Sequence, residues 1–452
     1  MPPSTHRLWI ARGLAHALQA DCQQPGGTEA HALLARATRA LGHRPPWLPP
    51  VIEALGAAAV RRLDLQGLSE RIAGLPAFDA AFAPGQPAPR IRRLMLRPPH
   101  MAGAPLGLHE APLPALTTHE ALGDWLGLAP ERLAWLVSEA QHYREPPGGR
   151  PGAARHYHAL LRPKRLGGLR LIEAPKAELK LAQRRLLDGL LNAVPVHEAA
   201  QGFVPGRSVR AHAQAHAGAP VVLRFDLQDF FPSVPASRVH AIWRTLGYPA
   251  GVARALTALC TTRTPAAVRA RLREAGAIDG GGAQRLAAAH LPQGAPTSPA
   301  LANLCCFRLD LRLAGLAAHW GARYTRYADD LVFSGPAVLR ERRLALTSWV
   351  GGICADEGFT LHARKTRCMP QHRQQCITGV VVNQHPNLPR DEFDRLKACL
   401  HRRLLHGATD AAEREALRGR IAWAAQLNPA RGEKLLALFA QIRWPQPGSV
   451  PG

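Results

Sequence analysis

Apolar positions recur at three- and four-residue steps through most of the chain, which predicts a largely helical protein, with short β-rich runs at a few places. His6 to Ala20 and Thr28 to Leu41 have helical spacing, and Pro45, Pro46, Pro49 and Pro50 interrupt it. Pro84 to Pro105 reads as a loop or linker, so residues 1–110 are expected to be a helical, Pro-rich extension or small domain. Thr117-Thr-His-Glu120 has the form of a capping box opening a helix through Trp125, and Pro130 starts a second to Gln141. Trp125, Leu126, Leu133, Trp135 and Leu136 are expected in a core. Beyond the break at Pro146 to Gly152, His156 to Arg170 predicts two strands around a Gly167-Gly168 turn, the second continuing to Pro175. Helical repeats then cover Leu179 to Leu191, Val239 to Leu246 and Val252 to Cys260. Thr261 to His290, with Arg269, Arg271, Arg273 and three consecutive glycines, reads as a mobile basic insert. Ser298 suits an N-cap and Pro299 a first helical residue, for a helix to about Trp320. Further helix is predicted over Leu339 to Gly358 and through residues 390–442.

Two β-rich runs carry the chemistry. Tyr324-Thr-Arg-Tyr-Ala-Asp-Asp-Leu-Val-Phe-Ser334 predicts a hairpin with Asp329 and Asp330 at its tip. Adjacent like charges repel, and a hard divalent cation with oxygen ligands is the usual reason to present them together. An Asp-Asp pair in a turn is otherwise a solvated loop. A third carboxylate changes that balance: Pro220-Val-Val-Leu-Arg-Phe-Asp226 is another short apolar strand ending in an acid. Three carboxylates delivered by two strands suit a site where two metal ions clamp the attacking and leaving oxygens of a phosphoryl transfer.

Composition adds a partner class. The net charge of +24 favours a polyanion, nucleic acid first, although only six of the 57 basic residues are Lys and a general preference for Arg contributes. Three of those six, Lys164, Lys176 and Lys180, crowd into one stretch, and Lys365 is a fourth. Eight cysteines without Cys-x-x-Cys spacing read as reduced thiols of a cytoplasmic protein. No apolar run is long enough for a membrane span, and the N-terminus has no secretory h-region.

In their order, Asp226, Leu291-Pro-Gln-Gly-Ala-Pro-Thr-Ser-Pro299 and Tyr327-Ala-Asp-Asp330 resemble the palm motifs of a reverse transcriptase, specifically the bacterial retron branch. Ile377-Thr-Gly379 resembles the retron Val-Thr-Gly signature, and His212-Ala-Gln-Ala-His216 resembles Asn-Ala-x-x-His with His in place of Asn. The resemblance covers roughly residues 155–400 and implies an α/β (α+β) right-hand polymerase: lead-in helices over 111–152, fingers over 153–219, palm over 220–385 and a helical thumb over 386–452.

It also implies roles. Asp226, Asp329 and Asp330, with the carbonyl of Leu227, would hold two Mg²⁺ ions, Mn²⁺ being an alternative, while Asp229 stays structural. Lys164 and Arg170 would contact the incoming triphosphate and Gln293 its sugar. Phe231 would exclude a 2′-hydroxyl, with Phe230 turned into the core by strand alternation. Lys365 would lie near the leaving pyrophosphate as a general acid, a surface lysine being the other reading. His216, Thr378 and Gly379 would meet RNA or primer, packing being the other reading of His216, and a zinc half-site at His212 and His216 lacks further ligands. Arg395, Lys397, Arg402, Arg403, Arg418 and Arg420 could line a duplex-gripping thumb or a solvated face. The implied partners are a noncoding RNA serving as template and primer, an RNA–DNA hybrid, dNTPs and an effector protein, in phage defence. A group II intron-like or other defence-associated reverse transcriptase, and a non-catalytic RNA-binding protein on a polymerase scaffold, are the alternatives. A maturase is expected to carry a longer basic C-terminal region.

Overall fold

The structure is a computed structural model that describes residues 5–444 apart from 21, 23–25, 86, 96–99, 104–106, 108–110, 143–155, 165–166 and 408–410. The break read at Pro146 to Gly152 lies outside the described residues. The chain forms two compact units, residues 1–100 and 101–452.

The first unit is helical: α1 (Thr5–Gln19), α2 (Ala30–Leu41), α3 (Leu48–Arg62), α4 (Leu65–Ala73) and α5 (Pro76–Asp79). It has its own core, with Leu14, Leu18, Leu33, Leu41, Leu48, Leu68, Ile72 and Phe78 buried. The proline cluster does not end helical structure but starts α3, because Pro49 and Pro50 fall in the first turn, where a missing N–H costs nothing.

The second unit opens with α6 (His119–Leu126) and α7 (Pro130–His142). The cap of α6 is Thr118, whose hydroxyl accepts from Ala121 N, one residue later than the expected box. Trp135 is exposed rather than core, with the Arg132 guanidinium 4.4 Å above its ring. An antiparallel hairpin follows, β1 (Tyr157–Pro163) and β2 (Leu169–Pro175), then α8 (Ala177–Gly189) and α9 (Val209–Gln214).

The central sheet comes next: β3 (Val221–Asp226), with α10 (Ala236–Thr245), α11 (Ala250–Cys260), α12 (Ala266–Glu274), α13 (Gly280–Ala287), α14 (Ser298–Cys305) and α15 (Phe307–His319) before β4 (Arg323–Tyr327) and β5 (Asp330–Gly335). The basic insert is therefore two ordered helices, because Asp279 caps the glycine run by accepting from Gly282 N and so starts α13. Thr297, not Ser298, precedes α14, and the long helix expected to Trp320 divides at Cys306. Short α16 (Val338–Glu341) and α17 (Arg343–Asp356) likewise share the stretch expected as one helix.

After α17 come β6 (Arg367–Pro370), β7 (Cys376–Ile377) and β8 (Val380–Val381), then α18 (Arg390–His406), α19 (Ala411–Leu427) and α20 (Pro429–Ala440). The central sheet has order β4-β5-β3-β6, all neighbours antiparallel. Strand alternation assigns its two faces. Leu223, Phe225, Leu331 and Phe333 join the large core with α10, α11, α14 and α15. Val222 and Val332 face a second core with Ile377, Val380, Leu396, Leu400 and Leu435. Arg224, Asp226 and Asp330 lie on this second face by the same two-residue period.

Candidate catalytic site

Register brings the carboxylates together. Asp226 ends β3 directly opposite Asp330, which begins β5. Tyr327 also pairs with Asp330, so Ala328 and Asp329 form a two-residue connection between β4 and β5. Such connections favour a positive φ at the first residue, and Ala328 has φ 54°. That conformation is unfavourable for a residue with a Cβ, and two bonds hold it. Arg326 Nη1 donates to the carbonyl of Ala328 at 3.2 Å, and Leu227 N donates to that of Asp329 at 2.9 Å.

Beneath the turn is a buried ionic network. Arg326 Nε and Nη2 donate to Asp310 at 2.8 and 2.6 Å, Arg326 Nη1 donates to Asn303 at 2.9 Å, and Tyr324 Oη donates to Asp310 at 2.8 Å. Asn303 donates in turn to the carbonyl of Gly202. Arg326 and Asp310 are both fully buried, so each charge is compensated by the other and by hydrogen bonds.

Two cations face the three acids. Arg224, two residues before Asp226, binds Asp330 with a fork: Nε to Oδ1 and Nη2 to Oδ2, each at 2.9 Å. Lys365 Nζ donates to both oxygens of Asp226 at 2.8 and 3.1 Å. Burial and the neighbouring Asp330 and Asp226 carboxylates push the Asp329 carboxyl up to about 6. Burial also raises Asp330, and the Arg224 guanidinium opposes that.

Among the described residues no three His, Cys, Asp or Glu side chains form a ready cage for an ion. Mg²⁺ habitually takes one or two carboxylates and completes its shell with water and substrate phosphates. The oxygen-only donor set and the accumulated negative charge at Asp329 fit that habit, and the carbonyl of Leu227 receives no backbone hydrogen bond among the described residues.

The other expected residues divide. Lys164 and Arg170 stand exposed at the turn end of the β1–β2 hairpin. Gln293 is half-buried, and its carbonyl accepts from Glu173 N at 2.8 Å. Gly294 beside it has φ 137°, and a Cβ there would come within 2.9 Å of the Glu173 carbonyl. Phe230 is core, stacked on Phe359, and Phe231 is half-buried. Strand alternation does not separate these rings, because residues 228–233 form a turn. Asp229 pairs with Arg285 at 2.6 Å.

His216 is a correction to the expected RNA contact. It is buried, with Nδ1 bonded to Ser334 Oγ at 2.7 Å and Nε2 to Thr325 Oγ1 at 2.6 Å, so it fastens α9 to the β4–β5 hairpin. His212 stacks on the Tyr327 ring, centroids 5.5 Å apart. Thr378 and Gly379 form a turn between β7 and β8 and not a continuous strand, since both have positive φ (48° and 82°). Of the expected thumb cations, Arg403 is held by Glu413 at 2.8 Å, while Lys397, Arg402 and Arg420 are exposed.

Sequence reasoning assigned nothing to Arg224 and Arg326. A cation inside an apolar strand, two residues from a site acid and therefore on its face, is the signal that points to Arg224.

The family model for reverse transcriptase (RNA-dependent DNA polymerase) matches residues 162–382. The chain is 43% identical over 291 residues to the Retron Mx65 reverse transcriptase of Myxococcus xanthus, covering 62% of this chain and 64% of that protein. It is 38% identical over 345 residues to the Retron Mx162 reverse transcriptase of the same organism, covering 73% and 68%. Against the Retron Ec86 reverse transcriptase of Escherichia coli it is 29% identical over 275 residues, covering 61% and 77%. The chain belongs to the retron-type reverse transcriptases, enzymes of the nucleotidyltransferase class with a right-hand polymerase fold. It spans a little under two thirds of the Mx65 protein and 68% of the Mx162 protein. The family implies a divalent metal and a nucleic-acid template. No described helix is long and apolar enough to cross a membrane.

Proposed function

We propose that this protein is an RNA-directed DNA polymerase that extends a primer on an RNA template with dNTPs, using two Mg²⁺ ions. The observation that carries the reading is the register pairing of Asp226 with Asp330, with Asp329 in the adjoining turn. Bound ions would activate the primer hydroxyl and neutralise the α-phosphate and leaving group.

The chain's own residues do the rest. Asp226, Asp329 and Asp330 would hold the ions, with the Leu227 carbonyl as a further oxygen. Lys365 starts on Asp226 and is free to turn to the phosphates, because its side chain is 55% exposed. Lys164 and Arg170 offset triphosphate charge from the fingers, residues 153–219. Gln293 and Phe231 border the sugar, and Phe231 excludes a 2′-hydroxyl. Thr378 and Gly379 support the primer end from the palm, residues 220–385. Lys397, Arg402 and Arg420 meet the duplex backbone from the thumb, residues 386–452.

Similarity to retron enzymes supports a partner noncoding RNA that serves as template and primer, an RNA-linked single-stranded DNA product and a part in phage defence. Two measurements test the reading. Purified protein should extend a primer on RNA with Mg²⁺, and Asp329→Ala should abolish extension; extension by that variant would refute the site. Cells carrying the gene with its native flanking DNA should accumulate a short DNA that shifts on RNase treatment. Polymerase activity without such DNA would keep the enzyme and discard the retron product.

A further inference from the structure

The first unit, residues 1–100, lies outside the stretch that matches the family model and has a core of its own. Its charges are segregated along the sequence. Residues 1–20, 30–52 and 80–100 contain no Asp or Glu; the acids of the unit are Asp21, Glu29, Glu53, Asp64, Glu70 and Asp79. The fold brings those acid-free segments together. Residues 89–93 cross α1 and then the end of α2. His6 Nε2 donates to the Pro89 carbonyl at 3.2 Å, and Ile91 packs on Gly13, where a Cβ would come within 2.5 Å of it. Arg92 N and Arg93 N both donate to the Ala40 carbonyl, at 2.8 and 3.0 Å.

Trp9 is three residues from His6 and four from Gly13, so it flanks this crossing on the surface of α1. Its side chain is 59% exposed, with no aromatic partner among the described residues. Arg90, Arg92 and Arg93 stand exposed along the crossing, and Arg39 and Arg44 stand exposed on either side of Gly42, against which the Arg92 stem lies. Among the described residues these guanidinium groups make no side-chain hydrogen bond or ion pair. Arg7, Arg36 and Arg61 are instead engaged within the unit, by Asp79, the Leu18 carbonyl and Thr28. Leu34, Ala35, Thr38, Arg39, Gly42 and Arg44 line an open groove of about 630 Å³.

We infer that this face of the first unit, from Trp9 along Arg90, Arg92 and Arg93 to Arg39 and Arg44, is a binding site for single-stranded DNA. Unpaired guanidinium groups with no acid among them complement a phosphodiester backbone. An exposed indole beside them is a stacking platform, and stacking on it requires an unpaired base. Leu34 and Ala35 give the groove apolar contact for a thymine methyl group and no hydrogen bond for a 2′-hydroxyl. None of these residues enters the polymerase reading, so the site stands or falls apart from it.

The test uses the full chain and an oligo(dT) of about 15 nucleotides, within the usual range of single-strand site sizes. Ultraviolet cross-links are mapped by mass spectrometry and should fall on the tryptic peptide Leu8–Arg12, which holds Trp9. Titrations followed by the yield at that peptide read this face alone, whatever DNA binds elsewhere on the chain. Arg92→Ser/Arg93→Ser should weaken binding by roughly tenfold and flatten the dependence of log affinity on log salt by about 1.4, two phosphate contacts' worth. Arg62→Ser/Arg71→Ser, on α3 and α4, makes the same change in net charge and should alter neither. Primer extension on a pre-annealed template should be unchanged in both variants.

A Leu8–Arg12 peptide free of cross-links overturns the inference, and so do equal salt slopes in the two variants. Oligo(U) RNA or blunt DNA duplex competing as well as oligo(dT) would make the face a general polyanion surface and overturn its assignment to single-stranded DNA. If Arg92→Ser/Arg93→Ser changes the oligomeric state by light scattering and leaves DNA binding intact, the face joins copies of the chain and the inference falls. Extension lost in step with binding would make the face part of the polymerase track, not a separate site. Should Arg92→Ser/Arg93→Ser fail to fold by circular dichroism, Arg39→Ser/Arg44→Ser carries the same expectation. An inactive polymerase that still cross-links at Trp9 would strike the proposed function and leave this site standing.

Discussion

Arg326 and Asp310 meet through two hydrogen bonds at 2.8 and 2.6 Å, both side chains fully buried, directly under the turn that carries Asp329. The same guanidinium holds the Ala328 carbonyl, so one ion pair links α15 to the strained residue beside Asp329. Asp310→Ala leaves a buried cation without its partner and should cost about 3–5 kcal/mol. Urea unfolding monitored by circular dichroism gives that number. Asp310→Asn should cost less, yet still lower primer extension by loosening the turn. Full activity in Asp310→Asn would show that the turn holds its shape without the ionic contact.

Gly202 supplies a separate handle on the same turn. A Cβ there would lie 3.0 Å from the Tyr327 ring and 3.1 Å from Ala328 N. Gly202→Ala should therefore push the turn, at about 1–3 kcal/mol for overpacking. Extension should fall by more than roughly tenfold if the displacement reaches Asp329, since positional errors near 1 Å are costly in catalysis. An unchanged turnover number would mean that the ring moves aside and leaves Asp329 in place.

Two buried histidines make the protein acid-sensitive. Burial lowers His216 to about 3 and His212 to about 4, with Arg224 adding to the effect at His212. The unfolded chain takes up these protons near 6.5, before the folded chain does, so folding is favoured fully above that pH. Stability should fall as pH drops from 6.5 toward 4. Urea midpoints at pH 7.5, 5.5 and 4.5 measure the slope, and His212→Asn should flatten it. Equal slopes in both proteins would show that His212 accepts its proton without cost.

Phe231 has the half-exposed setting that a sugar gate needs, while Phe230 is committed to Phe359. Phe231→Ala should raise incorporation of ribonucleotides relative to deoxynucleotides, chiefly by lowering KM for the former. Competing rNTP and dNTP on one RNA template gives the ratio directly. A ratio equal to that of the unsubstituted protein would place the gate elsewhere.

Asp226, Asp329 and Asp330 were legible in the sequence because strand-forming runs flank acids, a local pattern that survives without knowledge of the fold. Their paired register was not, since it depends on β3 lying beside β5. Arg326 was hidden for a different reason. Its partner Asp310 is 16 residues away on a helix, and neither charge looks buried until α15 packs on the sheet. His216 misled because a motif assigned it to nucleic acid, whereas its neighbours Ser334 and Thr325 come from strands more than 100 residues later. The glycine run at 280–282 looked like a loop by composition, and a single aspartate before it made a helix.

Glu173 accepts hydrogen bonds from Thr264 Oγ1 at 2.7 Å and His290 Nε2 at 3.0 Å, and its backbone N–H meets the Gln293 carbonyl. Its side chain is buried, so these bonds cannot be exchanged for water. Glu173 therefore ties strand β2 to both Thr264 and the 290–293 loop, so three segments far apart in the sequence shift or hold together.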